Sequence, residues 1–160
     1  MIKLKNLKMK HYTKMNNGYY AVALDKKSCN VVKRNATMDV VNGDHITLAY
    51  KPNNRDFNKL NKLINKKVDV YVDHIRANKN IEAFWVSDMY LTESYKRLKR
   101  VDSGSAHITI SHKKGFKPGD ANTMFEKPIY KQQRLGMLEG KIKWISFNNK
   151  KEINDNRPIR

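Results

Sequence analysis

Gly43-Asp44-His45-Ile46-Thr47-Leu48-Ala49-Tyr50 and, some sixty residues on, Ala106-His107-Ile108-Thr109-Ile110-Ser111 carry the same His-Ile-Thr core inside short apolar runs. On a strand, successive side chains point to opposite faces. His45 and Thr47 therefore share one face while Ile46 and Leu48 take the other, and His107 and Thr109 stand against Ile108 and Ile110 in the same phase. Each run follows a turn-forming stretch, Asn42-Gly43-Asp44 in one case and Ser103-Gly104-Ser105-Ala106 in the other. This reading predicts two strands from distant parts of one domain, each with its apolar face on a core and its polar face on a shared cleft.

Two imidazoles and two hydroxyls around one centre suit acid/base cleavage of a phosphodiester. Activating an adjacent hydroxyl needs a base, and releasing the departing oxygen needs an acid. Histidine, with an ordinary pKa of about 6.5, fills both roles near neutrality. A threonine two residues along the same face reaches a non-bridging phosphate oxygen, where its hydroxyl can bond the charge that builds in the transition state. This chemistry calls for no metal. A single histidine beside a β-branched residue is more often a satisfied, partly buried side chain; it is the repetition in the same phase that favours function.

The two motifs, each flanked by hydrophobic residues, resemble the 2H phosphoesterase superfamily, whose members carry two His-x-Thr/Ser signatures. The segments Gly43 to Pro52 and His107 to Ser111 are similar to those of the cyclic phosphodiesterase domains of RNA-repair tRNA ligases. They also resemble small phage enzymes that destroy the cyclic oligonucleotide signals of CBASS defence. The resemblance implies an α+β fold, pseudo-symmetric and two-lobed, with antiparallel sheets around a central cleft and flanking helices. It also implies His45, Thr47, His107 and Thr109 as the catalytic quartet. It leaves the substrate open among 2′,3′-cyclic phosphates, oligoadenylates, RNA ends and cyclic dinucleotides.

At 160 residues the expectation is one domain over residues 1–147, followed by a polar, basic tail over 148–160. The 33 Lys and Arg against 15 Asp and Glu give a formal charge of +18, a field that concentrates polyanions. Abundant Lys and Asn together have a second explanation in an AT-rich coding sequence, with many lysines merely solvated. Cys29 is the sole cysteine, which excludes an intramolecular disulfide. No apolar stretch has membrane-spanning length and the N-terminal segment is broken by lysines, so the expected location is the cytosol, of a host cell if the gene is viral.

Outward from the motifs, Tyr19 to Leu24 reads as a strand and Asp25 to Asn42 as a connection with weak helical character. Asp56 to Lys67 sets Phe57, Leu60, Leu63 and Ile64 on one helical face. Val68 to Ile75 alternates strictly and pairs as a hairpin with a strand at Ile81 to Ser87, across Asn78-Lys79-Asn80. Tyr90 to Val101 is a short helix or loop, Gly115 to Asp120 a turn-rich wall of the cleft, and Gly140 to Phe147 a closing strand. Met1 to Lys14 is an edge strand or a flexible basic arm.

Nucleotide recognition pairs aromatic faces with cations. Tyr12, Trp144 and Phe116 are candidate stacking residues, Trp144 because it alternates out of phase with Ile145 and Phe147. Glu139 is a candidate acceptor for a base edge, and Lys113 a candidate phosphate contact at the end of the second signature strand. Each also reads as ordinary packing or surface. His11, His74 and His112 lack a threonine in phase, and strand parity points His112 away from His107. No zinc-ligand spacing, magnesium-type carboxylate pattern or P-loop occurs, and no cofactor is expected. The leading expectation is a phosphodiesterase acting on cyclic di- or trinucleotide signals through the neighbouring 2′-hydroxyl, with no stable protein partner. Hydrolysis of RNA 2′,3′-cyclic phosphate ends and a non-catalytic basic RNA-binding protein are the alternatives.

Overall fold

The computed structural model describes residues 16–102, 104–118, 120–121 and 136–147. Tyr12, the arm before it and the tail from 148 lie outside the described residues. The chain forms β1 (Gly18–Leu24), α1 (Lys26–Lys33), β2 (Val40–Val41), β3 (His45–Tyr50), α2 (Asn54–Asn61), β4 (Lys67–Ala77), β5 (Ile81–Leu91), β6 (His107–His112) and β7 (Gly136–Ser146). The seven strands make one antiparallel sheet in the order β2-β6-β5-β4-β7-β1-β3. The fold is α+β.

Both helices start where the chain supplies a cap. Asp25 accepts from the Ser28 amide at 2.8 Å and Asn53 from the Asp56 amide at 2.8 Å, satisfying N–H groups the first turn leaves open. α1 contributes Cys29 and Val32, and α2 contributes Phe57 and Leu60, to a core completed by one face of the sheet. Ile46, Leu48, Ile108 and Ile110 are all fully buried in that same core. The helical pattern expected to run to Lys67 stops at Asn61. Asn65 adopts φ 69° and its amide bonds the Ile142 carbonyl at 2.8 Å, which draws the chain into β4 beside β7. Leu63 and Ile64 still pack on the core, from turns. The expected hairpin is present and longer, and residues after Leu91 form a turn that bridges Tyr90 to Arg97 rather than a helix.

β3 and β6 each lie two strands outward from the adjacent β4 and β7, so in a flat sheet they would be far apart. The chain instead ties each to the other's approach. The Leu48 carbonyl accepts from the Val101 amide at 2.9 Å, on the segment leading into β6, and the Ile110 carbonyl accepts from the Asn42 amide at 2.8 Å, on the segment leading into β3. Leu48 and Ile110 are also the extra residues of two β-bulges. Along β1 the register passes from Tyr20↔Ala49 to Ala21↔Thr47, and along β5 from Glu82↔Ser111 to Ala83↔Thr109. A bulge bends its strand and re-aims the side chains beyond it. Sheet curvature and these crossed bonds bring the two signature strands together.

Candidate active site

His45 and Thr47 stand on the sheet face opposite the helices, as do His107 and Thr109. The neighbours on that face are small beside each threonine: Ala21 lies opposite Thr47 and Ala83 opposite Thr109. Beside the histidines they differ, with Ala23 opposite His45 and Trp85 opposite His107. His45 and Thr47 are half-buried, whereas His107 and Thr109 are buried. The four residues are brought to one region, and the charge of His45 is felt at His107.

The two rings are held differently. His45 Nδ1 lies 2.7 Å from the Asp44 carboxylate. His107 Nδ1 lies 2.7 Å from the Ser105 carbonyl. A carbonyl oxygen only accepts, so Nδ1 carries the proton and Nε2 presents a lone pair. Burial pushes the His107 pKa down to about 4, and the nearby positive charges of Arg100 and His45 push the same way, against the Ser105 bond and Asp102. His107 is therefore neutral at pH 7.

Arg100 organises the approach to β6. Its guanidinium donates to the Ser105 carbonyl at 3.3 Å and clasps the Asp102 carboxylate through Nε and, at 3.2 Å, Nη2. Gly104 lies so close to this guanidinium that a Cβ would overlap it. Burial raises the Asp102 pKa, but the Arg100 hydrogen bond and the amides of Tyr50 and Gly104 outweigh it and hold the carboxyl below its usual range. Since the Tyr50 amide belongs to β3, at 3.0 Å, Asp102 also ties that strand to the segment leading into β6. On β3 the corresponding turn uses Gly43 at φ 86°, where a side chain would also meet Val32.

The Thr109 hydroxyl donates to the Pro118 carbonyl at 3.2 Å, so the turn after β6 does lie against the site. Phe116 sits in that turn and is exposed. Glu139 is exposed on the cleft face of β7 and lines a cavity of about 650 Å³. Lys113 is exposed beyond the far end of β6, with its amide bonded to Asn80 in the β4–β5 turn, six residues past His107.

Two orientations expected from alternation are corrected. Trp144 packs edge-on against Tyr20 and Phe57, with ring centroids at 4.8 and 5.7 Å, on the helix side of the sheet. Ile145 and Phe147, which it alternates with, instead join Tyr19 on the other face. Alternation separated the two sets correctly, but both faces of β7 carry apolar residues there, so it did not say which was the core. His112 is opposite Ile81, on the same face as Ala83 and Trp85, and hence on the face of His107. The bulge at Ile110 reversed its parity, just as the bulge at Leu48 turns Tyr50 to face Tyr19.

Sequence reasoning missed Asp44, Arg100 and Asp102 as supports. Asp44 had a signal, being adjacent to His45 in a quoted motif. The Ser105 carbonyl has none, because any residue supplies one. Among the described residues no group of three or more His, Cys, Asp or Glu is placed to hold a metal, and no helix is long and apolar enough to cross a membrane.

No family model matches the chain, and no curated protein matches it. Among solved structures it is similar to one described as a fungal RNA kinase, with a TM-score of 0.42 and 11% identity over 81% of this chain and 41% of that one. The chain thus spans less than half the length of that protein.

Proposed function

We propose that the protein is a phosphodiesterase of the 2H type, its signature strands forming the paired halves of a pseudo-symmetric two-lobed domain, and that it cleaves 3′-5′ linkages of cyclic di- or trinucleotides through the neighbouring 2′-hydroxyl. The observation that carries this reading is the pair of histidine rings brought to one region of the sheet and each held through Nδ1, a neutral one by a carbonyl and the other by a carboxylate. His107 Nε2 takes the proton of the 2′-hydroxyl. The 2′-oxygen bonds to phosphorus as the bond from phosphorus to the 5′-oxygen breaks. Protonated His45 delivers its Nε2 proton to that leaving oxygen, with Asp44 having balanced the ring's charge until then. The first product is a 2′,3′-cyclic phosphate end, which water opens with the two roles exchanged. Thr47 and Thr109 donate to the non-bridging oxygens, Thr109 by turning its hydroxyl from Pro118. Glu139, which lines the neighbouring cavity, and Phe116, in the turn after β6, are the proposed substrate contacts.

The test is turnover of cyclic dinucleotides, cyclic trinucleotides and RNA ending in a 2′,3′-cyclic phosphate, all in the presence of EDTA. Cleavage of the cyclic substrates, with resistance when the scissile ribose is replaced by deoxyribose, is the expected result. Turnover confined to RNA ends moves the assignment to end repair, and turnover of nothing leaves a binding protein.

A further inference from the structure

The face that carries the histidines continues past β3. Successive cross-strand partners put His45, Ala23, Lys141 and Lys67 in one row over β3, β1, β7 and β4. The next row holds Thr47, Ala21 and Lys143. Two strand spacings, roughly 10 Å, separate the His45 and Lys141 backbones, with only the methyl of Ala23 between. Here the cavity of about 650 Å³ opens, lined by Ala23, Lys67, Lys141, Lys143, Asp69 and Glu139 among others. On the β6 side the place of Ala23 is taken by Trp85, so the two histidines have unlike surroundings.

Lys67 and Lys141 are directly opposed on adjacent strands, an arrangement that costs stability. Neither has a carboxylate within ion-pair distance among the described residues. Lys143, by contrast, is bonded to Asn65. One row beyond, Asp69 and Glu139 are likewise opposed, so a negative row flanks one side of the row that His45 shares with the two lysines. An anion seated between the two ammonium groups relieves their repulsion, while the acidic row stops it going further.

We propose that Lys67 and Lys141 form a subsite for a second phosphate of the substrate, one step along the nucleotide chain or ring from the phosphate attacked at His45 and His107. This rests on reading β3 and β6 as one phosphodiesterase site. It makes the preferred substrate class molecules with at least two phosphates, and sets nucleotides with one phosphate aside as poor ligands.

Calorimetry with thymidine dinucleotide pTpT and thymidine monophosphate tests the subsite separately from catalysis, because neither ligand has a 2′-hydroxyl. The wild-type protein is expected to bind pTpT at least tenfold more tightly. The Lys67→Gln/Lys141→Gln variant should lose that preference, leave the monophosphate within twofold, and show a slope of log K on log salt smaller by roughly 0.7 per phosphate contact removed. Its melting temperature should be unchanged or higher, and Lys67→Arg/Lys141→Arg should keep the preference. Equal affinity of the wild type for both ligands, or equal loss for both in the Gln variant, overturns the subsite. A preference that behaves as expected while no ribonucleotide is turned over keeps the subsite and removes the phosphodiesterase.

Discussion

β3 and β6 repeat each other position by position, His-Ile-Thr-Leu-Ala-Tyr against His-Ile-Thr-Ile-Ser-His, down to a bulge at the fourth residue and an alanine opposite the threonine. Their bulge carbonyls even accept equivalent backbone bonds from each other's approach segments. The partners of their histidines do not repeat. His45 leans on a carboxylate and is half-buried; His107 leans on a carbonyl already bonded by Arg100 and is buried. A repeated backbone places two like groups in unlike surroundings: burial holds the His107 ring neutral at pH 7, while His45 stands half-buried beside a carboxylate. An unlike pair is what the proposed reaction, with one base and one acid, requires.

The comparison breaks most visibly if either ring is dispensable. His45→Ala and His107→Ala should each lower kcat by roughly 10²–10⁴-fold with circular dichroism unchanged. The double variant should be little worse than either single one, because the two act as a unit. A single variant that keeps near full rate would end the paired reading.

Asp44→Asn sharpens the contrast in support. Losing a hydrogen bond to a charged group costs about 1.5–3 kcal/mol, which is about ten- to a hundredfold in kcat. Ser105→Ala should stay within about twofold, since His107 uses only the backbone of that residue. Steady-state rates on the same substrate separate the two outcomes.

Acidity tests the other half. The acid limb of kcat/KM should fall near pH 4 rather than 6.5, because the base role proposed for His107 needs a neutral ring. Stability carries the same sign: the unfolded ring takes its proton near 6.5 and the folded one only near 4, so its contribution is full above pH 6.5 and is lost as pH falls from there through 4. Urea unfolding across that window measures it, and His107→Ala should flatten this part of the profile.

The smallest effects belong to the repeated core positions. Ile46→Val and Ile108→Val, both at fully buried sites, should each cost about 0.5–1.5 kcal/mol, and nearly the same amount. Clearly unequal losses in urea melts would show that the two strands are packed less alike than their backbones are.

Local pattern made much of the fold legible: Tyr19 to Leu24 in β1, Phe57 and Leu60 on α2, and the β4–β5 hairpin all follow from side-chain periodicity, which adjacent residues fix. The same periodicity assigned Ile46, Leu48, Ile108 and Ile110 to the core. It failed at His112, where an extra residue in β6 shifted the phase, and at Trp144, where both faces of β7 are apolar. A bulge is a property of two paired strands, and the partner of β6 is β5, more than twenty residues earlier in the chain.

The sequence by itself determined the two His-Ile-Thr strands, which of their side chains share a face, and the surplus of positive charge, since each depends on residues near one another or on composition alone. Only the tertiary structure decided that β3 and β6 meet, that burial keeps the His107 ring neutral at pH 7, and that Lys67 and Lys141 stand opposed on the same sheet face. These follow from sheet curvature, strand register and burial, which are set by contacts between segments remote in the chain.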